Sequence, residues 1–401
     1  MKSESYMLYS SLPLPEKRKN MARIDGRALA QNYTRIREAI GRHSPNTECI
    51  CVIKADAYGH GADYVAHVLC EEGCRFFAVS SFEEAVALRR ALNRYRPAGE
   101  ILILGAVHPT LAGELSRLNL ITTVYSEESA VALGEEARRA GVRVRVHVKV
   151  DTGMNRIGFV AHDPESLEES AGRIAALAAL DSLDICGIFS HFARADEEPG
   201  GEGESFTHRQ AERFHTLCER VEALGLPLPF RHICNSAGAL RYPEYHYDAV
   251  RVGIALYGVS PSRHAALGGL LPVMRLMSVI THIHTAKAGE SVSYGGIYTT
   301  LGDRTIATLP IGYADGFLRA YSGSTVTLIR GDACYRVPIV GRICMDQCMI
   351  DVTDTGAQRG DSVILFGDSP DSLETLAAAA HTIPYECLCA VSSRVVRVYS
   401  E

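Results

Sequence analysis

Eight apolar runs recur along the first two-thirds of the chain, at residues 47–54, 76–81, 100–106, 120–126, 143–151, 184–192, 230–237 and 249–258. Each has the length of a strand, and most are separated by segments with apolar residues at helical spacing. Ala85, Leu88, Ala91 and Leu92 fall on one helical face. Ser126 is placed to cap a helix that ends before Gly141, and another helical pattern begins near Ser205 and stops at Gly225. Strand–helix alternation implies a parallel sheet covered by helices, and eight such units in about 210 residues is the count of a closed (β/α)8 barrel. A doubly wound sheet would place a G-x-G-x-x-G turn after its first strand, and no such turn follows any of these runs. The expected fold is therefore α/β, with a barrel over residues 21–261.

After Pro261 the texture changes. The runs Met277–Thr285, Thr305–Leu309, Thr325–Ile329 and Ser362–Phe366 are short and rich in Val, Ile and Thr, and Gly and Asp turns such as Gly331-Asp332 separate them. Residues 262–401 thus read as a second, mainly β domain with one helical segment near 371–380. Asp196–Glu204 reads as a solvated loop. Residues 1–20 lack the apolar core of a signal peptide and read as a disordered leader. No run reaches the length of a membrane span. The net charge of −6, with both signs interspersed, argues against nucleic acid as a partner. Twelve cysteines without a signal peptide point to reduced thiols in a cytoplasmic setting. Their spacing matches no zinc site, and His282 and His284, two apart on an expected strand, lack a third ligand nearby.

A barrel carries its active site at the carboxyl ends of its strands. The first run ends there in Lys54 and Tyr58, the fifth in Lys149, Asp151, Asn155 and Arg156, the sixth in His191, the seventh in Asn235-Ser236, and the eighth in Arg251, Gly253 and Ile254. Taken singly, Lys54 is a surface lysine past a strand end, Ser236 a turn residue and His191 a core histidine. Together they make a cationic, hydrogen-bonding mouth. The loops after the last two strands often hold phosphate in such barrels, and a desolvated lysine is a nucleophile for a Schiff base. Phosphate and a reactive lysine together point to pyridoxal 5'-phosphate.

The motifs carry a family resemblance. Val52-Ile53-Lys54-Ala55-Asp56-Ala57-Tyr58-Gly59-His60-Gly61, Lys149-Val150-Asp151-Thr152-Gly153-Met154-Asn155-Arg156, Ser190-His191-Phe192-Ala193 and Asn235-Ser236 come first. Arg251-Val252-Gly253-Ile254, Val292-Ser293-Tyr294-Gly295, Ile311-Gly312-Tyr313-Ala314-Asp315-Gly316 and Gly341-Arg342-Ile343-Cys344-Met345-Asp346 follow. On these residues the chain resembles the bacterial alanine racemase family, fold-type III pyridoxal phosphate enzymes, from Ala22 to Tyr399.

The resemblance implies a homodimer with shared active sites. Lys54 would carry the cofactor and act as base on one face, and Tyr294, lent by the second subunit, would be the base on the other. Arg251 would bond the pyridine nitrogen and His191 would link Arg251 to Tyr294. Tyr58, Asn235, Ser236, Gly253 and Ile254 would hold the cofactor. Arg156, Tyr313, Met345 and Asp346 would meet the substrate, and Lys149 would match the family's carbamylated lysine. Racemisation needs a proton to leave one face of a carbanion and another to arrive on the opposite face, so two bases fit the chemistry.

Two positions depart from the family pattern. Ser393 stands where the family has a tyrosine that contacts the phosphate and borders the substrate pocket, and Val252 stands for a proline. The missing ring leaves space, so activity on serine as well as alanine, or on small amino acids broadly, is a second expectation. A non-catalytic pyridoxal phosphate carrier would lack the second domain, and a related decarboxylase would show a His-Gly-Ser signature and a Cys/Asp pair at the substrate, where Cys344-Met345-Asp346 fits the racemase pattern instead.

Overall fold

The computed structural model describes residues 19–400 apart from Pro97. They divide into two compact units, one of residues 29–57 and 62–270, the other of residues up to 28, 58–61 and 271 onward.

Strand β1 (Met21–Asp25) belongs to the second unit. The first is built on β2 (Glu48–Val52), β3 (Phe76–Val79), β4 (Glu100–Ile103), β5 (Ile121–Val124), β6 (Val144–Asp151), a short offshoot β7 (Phe159–Val160), β8 (Leu183–Phe189), β9 (Arg231–His232) and β10 (Ala249–Val252). Neighbours pair in parallel, and β10 returns to β2 with Ala249 opposite Glu48. Eight strands thus close the barrel expected from the apolar runs. β3, β5 and β10 are buried at every residue; β3 accordingly reads as a continuous apolar run rather than an alternating one.

The helices form where the spacing places them. Ala85, Leu88, Ala91 and Leu92 are the buried face of the helix Phe82–Tyr95. Ser126 caps Glu127–Arg139 by accepting from the Ser129 amide at 3.1 Å, and Gly141 follows at φ 67°, a left-handed stop that favours glycine. The helix expected from Ser205 starts three residues earlier, as Glu202–Ala223. The acidic end of the expected loop 196–204 therefore forms its first turn, where Glu202 and Glu204 suit the positive end of the helix dipole.

The second unit holds one nine-stranded sheet ordered β12-β15-β18-β17-β16-β19-β11-β1-β20 and a small hairpin, β13–β14. Its strands are β11 (Met274–Val279), β12 (His282–Ala286), β13 (Ser291–Val292), β14 (Tyr298–Thr299), β15 (Arg304–Leu309), β16 (Thr325–Arg330), β17 (Ala333–Val340), β18 (Cys348–Asp351), β19 (Ser362–Phe366) and β20 (Val396–Ser400). Gly331-Asp332 is the two-residue loop of the β16–β17 hairpin. The helix near 371–380 is Pro370–Ala379, and a second, Pro384–Ala390, follows it. The single run 277–285 is two strands, β11 and β12.

One boundary is corrected. A barrel starting at residue 21 would include β1, but β1 pairs antiparallel with β11 and parallel with β20. Five residues with Ala22 and Ile24 buried are too short a pattern to reveal which sheet they join. The expected leader 1–20 lies outside the described residues up to residue 18. Asn20 is tied down, its Nδ2 donating to the Pro310 carbonyl at 2.6 Å and its Oδ1 accepting from Ser278 at 2.7 Å.

Candidate active site

In the barrel, β2 gives way at Lys54 to a turn in which Ala55, Asp56, Ala57 and Tyr58 all have φ between 51° and 56°. A left-handed residue other than glycine costs about 1–2 kcal/mol, so four in succession need external support. Glu84 gives part of it, accepting from the Ala55 amide at 2.6 Å and the Ser80 amide at 2.7 Å. Asp56 adds a bond from the Ala62 amide at 2.7 Å. Lys54 is held, half-buried, at the head of this turn.

On β6, Lys149 is buried, donates to the Val150 carbonyl at 2.5 Å and lies 5.4 Å from the Phe189 ring centre. Burial lowers its pKa to about 7, and the charges of Arg251 and Arg156 push the same way. Asp151, at the strand's end, accepts from the amides of Gly153, Asn155 and Arg156 at 2.8–3.0 Å and from His162 at 3.0 Å. Burial raises its pKa, but the bonds from His162 and the amides outweigh this and hold it at about 2. The loop that carries Arg156 is thus wound around one fixed carboxylate, with the Arg156 side chain exposed.

Arg251 on β10 is buried and gathers neutral acceptors. Its Nη2 donates to the Ser190 carbonyl at 2.7 Å, the Ile233 carbonyl at 2.9 Å and His191 Nδ1 at 3.1 Å. Its Nη1 donates to His232 Nδ1 at 2.5 Å. Burial, then Arg251, Arg156, Lys149 and Lys54, hold the His191 pKa well below its ordinary value, so His191 is neutral. The Gly253 amide donates to Ser236 Oγ at 2.9 Å, joining the loops after β9 and β10. Asn235 caps the short helix Ser236–Arg241 through Oδ1 and donates from Nδ2 to the Phe192 carbonyl at 3.3 Å. These bonds fix the Asn235 amide at the start of the helix that begins with Ser236.

The second unit assembles the other expected residues. The Tyr313 amide donates to the Cys344 carbonyl at 3.1 Å and the Ala314 amide to the Met345 carbonyl at 3.0 Å. Gly312 permits this approach, since a Cβ there would lie 2.2 Å from the Cys344 oxygen. Arg394 clamps both segments, to Asp346 at 2.8 Å and Asp315 at 3.3 Å. A cavity of about 810 Å³ is lined by Val292, Ser293, Tyr294, Cys344, Met345 and Asp346 among others. Tyr294 is 68% exposed, Met345 53% and Tyr313 42%. Tyr58 is buried beside Tyr385, with ring centres 6.0 Å apart. Ser393 is exposed next to Arg394.

Two family models match, "Alanine racemase, N-terminal domain" over residues 24–261 and "Alanine racemase, C-terminal domain" over 273–399. The chain belongs to the alanine racemase family. An alanine racemase of Desulforamulus reducens is 41% identical over 381 residues, covering 94% of this chain and 98% of its own. The structure of alanine racemase from Clostridium difficile 630 superposes with a TM-score of 0.85 at 36% identity, covering 96% of each chain. That of Bacillus anthracis with bound L-Ala-P gives 0.85 at 32%, covering 97% of this chain and 96% of its own.

Pyridoxal phosphate-dependent racemisation of alanine is the reaction of this family. The barrel's residues fit that cofactor. The first amides of the one-turn helix Ile254–Tyr257 lack intrahelical partners, and the buried Ser236 hydroxyl sits against the Gly253 amide, a donor set suited to phosphate. Arg251 can only donate, which suits an unprotonated ring nitrogen.

Three residues bonded to or near the site escape the motif reading. Glu84 had a sequence sign, the Ser-x-x-Glu pattern of a capping box at Ser81–Glu84, but its carboxylate turns to Ala55 and Ser80 instead. His147 and His232 are imidazoles within apolar strands, and that oddity is their only sign.

Proposed function

We propose that this chain interconverts L- and D-alanine as a homodimer, moving protons on opposite faces of the substrate's Cα with Lys54 of one subunit and Tyr294 of the other. The observation that carries this is Arg251, a buried cation bonded only to neutral acceptors at the barrel's active end. When bound, pyridoxal phosphate supplies the electron-withdrawing system that makes the Cα proton removable. Lys54 serves one face and the Tyr294 phenol the other. A neutral His191, accepting from Arg251 through Nδ1, carries its proton on Nε2 and so has a donor for the phenol oxygen. Arg156 and the backbone amide of Met345 orient the substrate carboxylate, with Tyr313 nearby from the other subunit and Asp346 at the substrate's edge.

Lys149 takes up carbon dioxide in this reading. At a pKa of about 7 its amine is substantially neutral near neutral pH. The nitrogen lone pair forms a C–N bond to CO2, one N–H proton leaves to solvent, and the carbamate anion sits beside Arg156 and Arg251. That anion joins Asp151 in offsetting the positive charge of Arg156 and Arg251. The exposed Tyr294, Tyr313 and Met345 support the dimer, since a base 68% exposed to water is ill placed for catalysis until covered. The twelve free thiols support a cytoplasmic setting. Ser393 in place of the tyrosine supports turnover of serine too.

The deciding experiment incubates the purified protein and pyridoxal phosphate with L-alanine in D2O and follows optical rotation and Cα deuteration. Loss of rotation with deuterium in the D-product is expected. No racemisation, or release of carbon dioxide instead, overturns the proposal and leaves the carrier or the decarboxylase. The same assay on L-serine tests the wider substrate range. A serine kcat/KM orders of magnitude below that of alanine removes it.

A further inference from the structure

Arg251 does not end at His232. His232 Nε2 lies 3.0 Å from His147 Nδ1, and both imidazoles are fully buried within the barrel. The direction of every bond in this line is dictated by its first member. A guanidinium offers only donors, so His232 Nδ1, 2.5 Å from Arg251 Nη1, must accept. The His232 proton is therefore on Nε2 and is donated to His147 Nδ1. His147 in turn carries its proton on its own Nε2. Neither ring can take a second proton without breaking a bond in the line.

The strands make room for this arrangement. The β6–β8 ladder slips by one residue between Val146 and His147, so that Val146 faces Ile185 and His147 faces Gly187. A Cβ on Gly187 would lie 2.6 Å from His147 Nε2. Gly187 has no left-handed backbone to explain it. A bulge and a glycine thus serve one purpose, admitting the His147 ring into the barrel wall. His232 is held from the other side by Phe189, stacked at 4.9 Å and 8°. Phe230 flanks both rings, at 5.9 Å from His147 and 5.7 Å from His232.

We propose that His232 and His147 are positioning residues, a pair of neutral imidazoles locked in one tautomer that braces Arg251 as a pure donor without neutralising it. A carboxylate in the place of His232 would brace the guanidinium equally well, but would pair with its charge and draw its donors away from the mouth. An imidazole accepts one bond and passes the polarisation on to His147, outside the site. The inference rests on the reading of Arg251 as the ring-nitrogen partner.

The test uses the holoenzyme with 15N-labelled histidine and three variants. Imidazole 15N spectra of the wild type, assigned by loss of signals in His232→Asn and His147→Phe, should show both rings neutral with the proton on Nε2. His232→Phe keeps the stack on Phe189 and deletes the acceptor. Its kcat should fall about 10- to 100-fold, the scale of a lost bond to a charged group, with KM changed less than about threefold. His232→Asn places an oxygen near the Nδ1 position and should recover kcat to within about tenfold of wild type. A proton on Nδ1 of His232, a protonated ring, or a His232→Phe enzyme of wild-type melting temperature and unchanged kcat would overturn the proposal. The tautomer readout does not depend on racemisation, so its failure and that of the proposed function are distinguishable.

Discussion

The two halves of the candidate site are finished to different degrees. In the barrel, Lys149, Asp151 and Arg251 are buried, and each is fixed by hydrogen bonds to its surroundings. In the second unit, Tyr294 is 68% exposed and Met345 53%, although the backbone beneath Met345 is tightly held by Gly312 and Arg394, and Ser293, next to Tyr294, donates to the Arg342 carbonyl. Rigid support under exposed tips is what a surface needs if it is to complete a site elsewhere. In the proposed dimer, the barrel set holds the cofactor within one chain and the Tyr294 set is covered by another.

The largest effects should come from the two proposed bases, and they break the comparison if the halves belong to one chain. Lys54→Ala and Tyr294→Phe should each lower kcat, by about 10⁴-fold and 10²–10³-fold, on the scale of a lost acid–base group. Co-expressing the two variants distinguishes shared from self-contained sites. In a shared-site dimer the mixed species keeps one intact pair, so about a quarter of wild-type activity should return. Sites built within single chains would recover none.

The next effect concerns the charge at Arg251. Arg251→Glu puts an acid where only donors stood, and a protonated carboxyl can give a proton to the ring nitrogen. Racemisation should drop by about 10²-fold while pyruvate from side transamination rises above the wild-type level. Assaying pyruvate with lactate dehydrogenase checks it, and an unchanged level would show that the donor-only character of Arg251 does not set reaction choice. A smaller effect sits at the exposed half. Ser393→Tyr should shift the ratio of serine to alanine kcat/KM toward alanine by about tenfold, the scale of filling one apolar gap.

The barrel was legible in the sequence because its strands are largely buried and recur as short, mostly apolar runs between helical patterns. The second sheet was legible as a texture but not as an order. Its nine strands include β1 from the far end of the chain, and no local pattern in Met21–Asp25 encodes a partner some 250 residues away. The chemical residues were legible because their types are odd for strand ends. The left-handed turn at Ala55–Tyr58 was not, since none of its four residues is a glycine and its support comes from Glu84 on a different helix. His147 and His232 escaped for the opposite reason. Their partners lie on other strands of the barrel, and a histidine within an apolar strand does not say what it faces.

Those buried imidazoles also fix how the barrel half responds to acid, the smallest of the expected effects. Burial, then Arg145 and Arg251, lower the His147 pKa to about 3. In the unfolded chain the same group titrates near its ordinary value of about 6.5. Between these limits the unfolded state binds a proton that the folded state does not, so stability falls as pH falls from about 6.5 toward 3, by up to about 1.4 kcal/mol per pH unit. His232, pushed the same way by burial, Arg251, His147 and Lys149, adds to the slope. Asp151, held at about 2, acts only lower, its stabilisation fading below its ordinary value near 3.8. Urea titrations of wild type and His147→Phe at a series of pH values from 7 to 4 separate these contributions. The variant should be less stable at pH 7, having lost a buried hydrogen bond, yet lose less with each step into acid. Parallel curves would mean that His147 already carries a second proton in the folded state, which a guanidinium-directed line of donors does not permit.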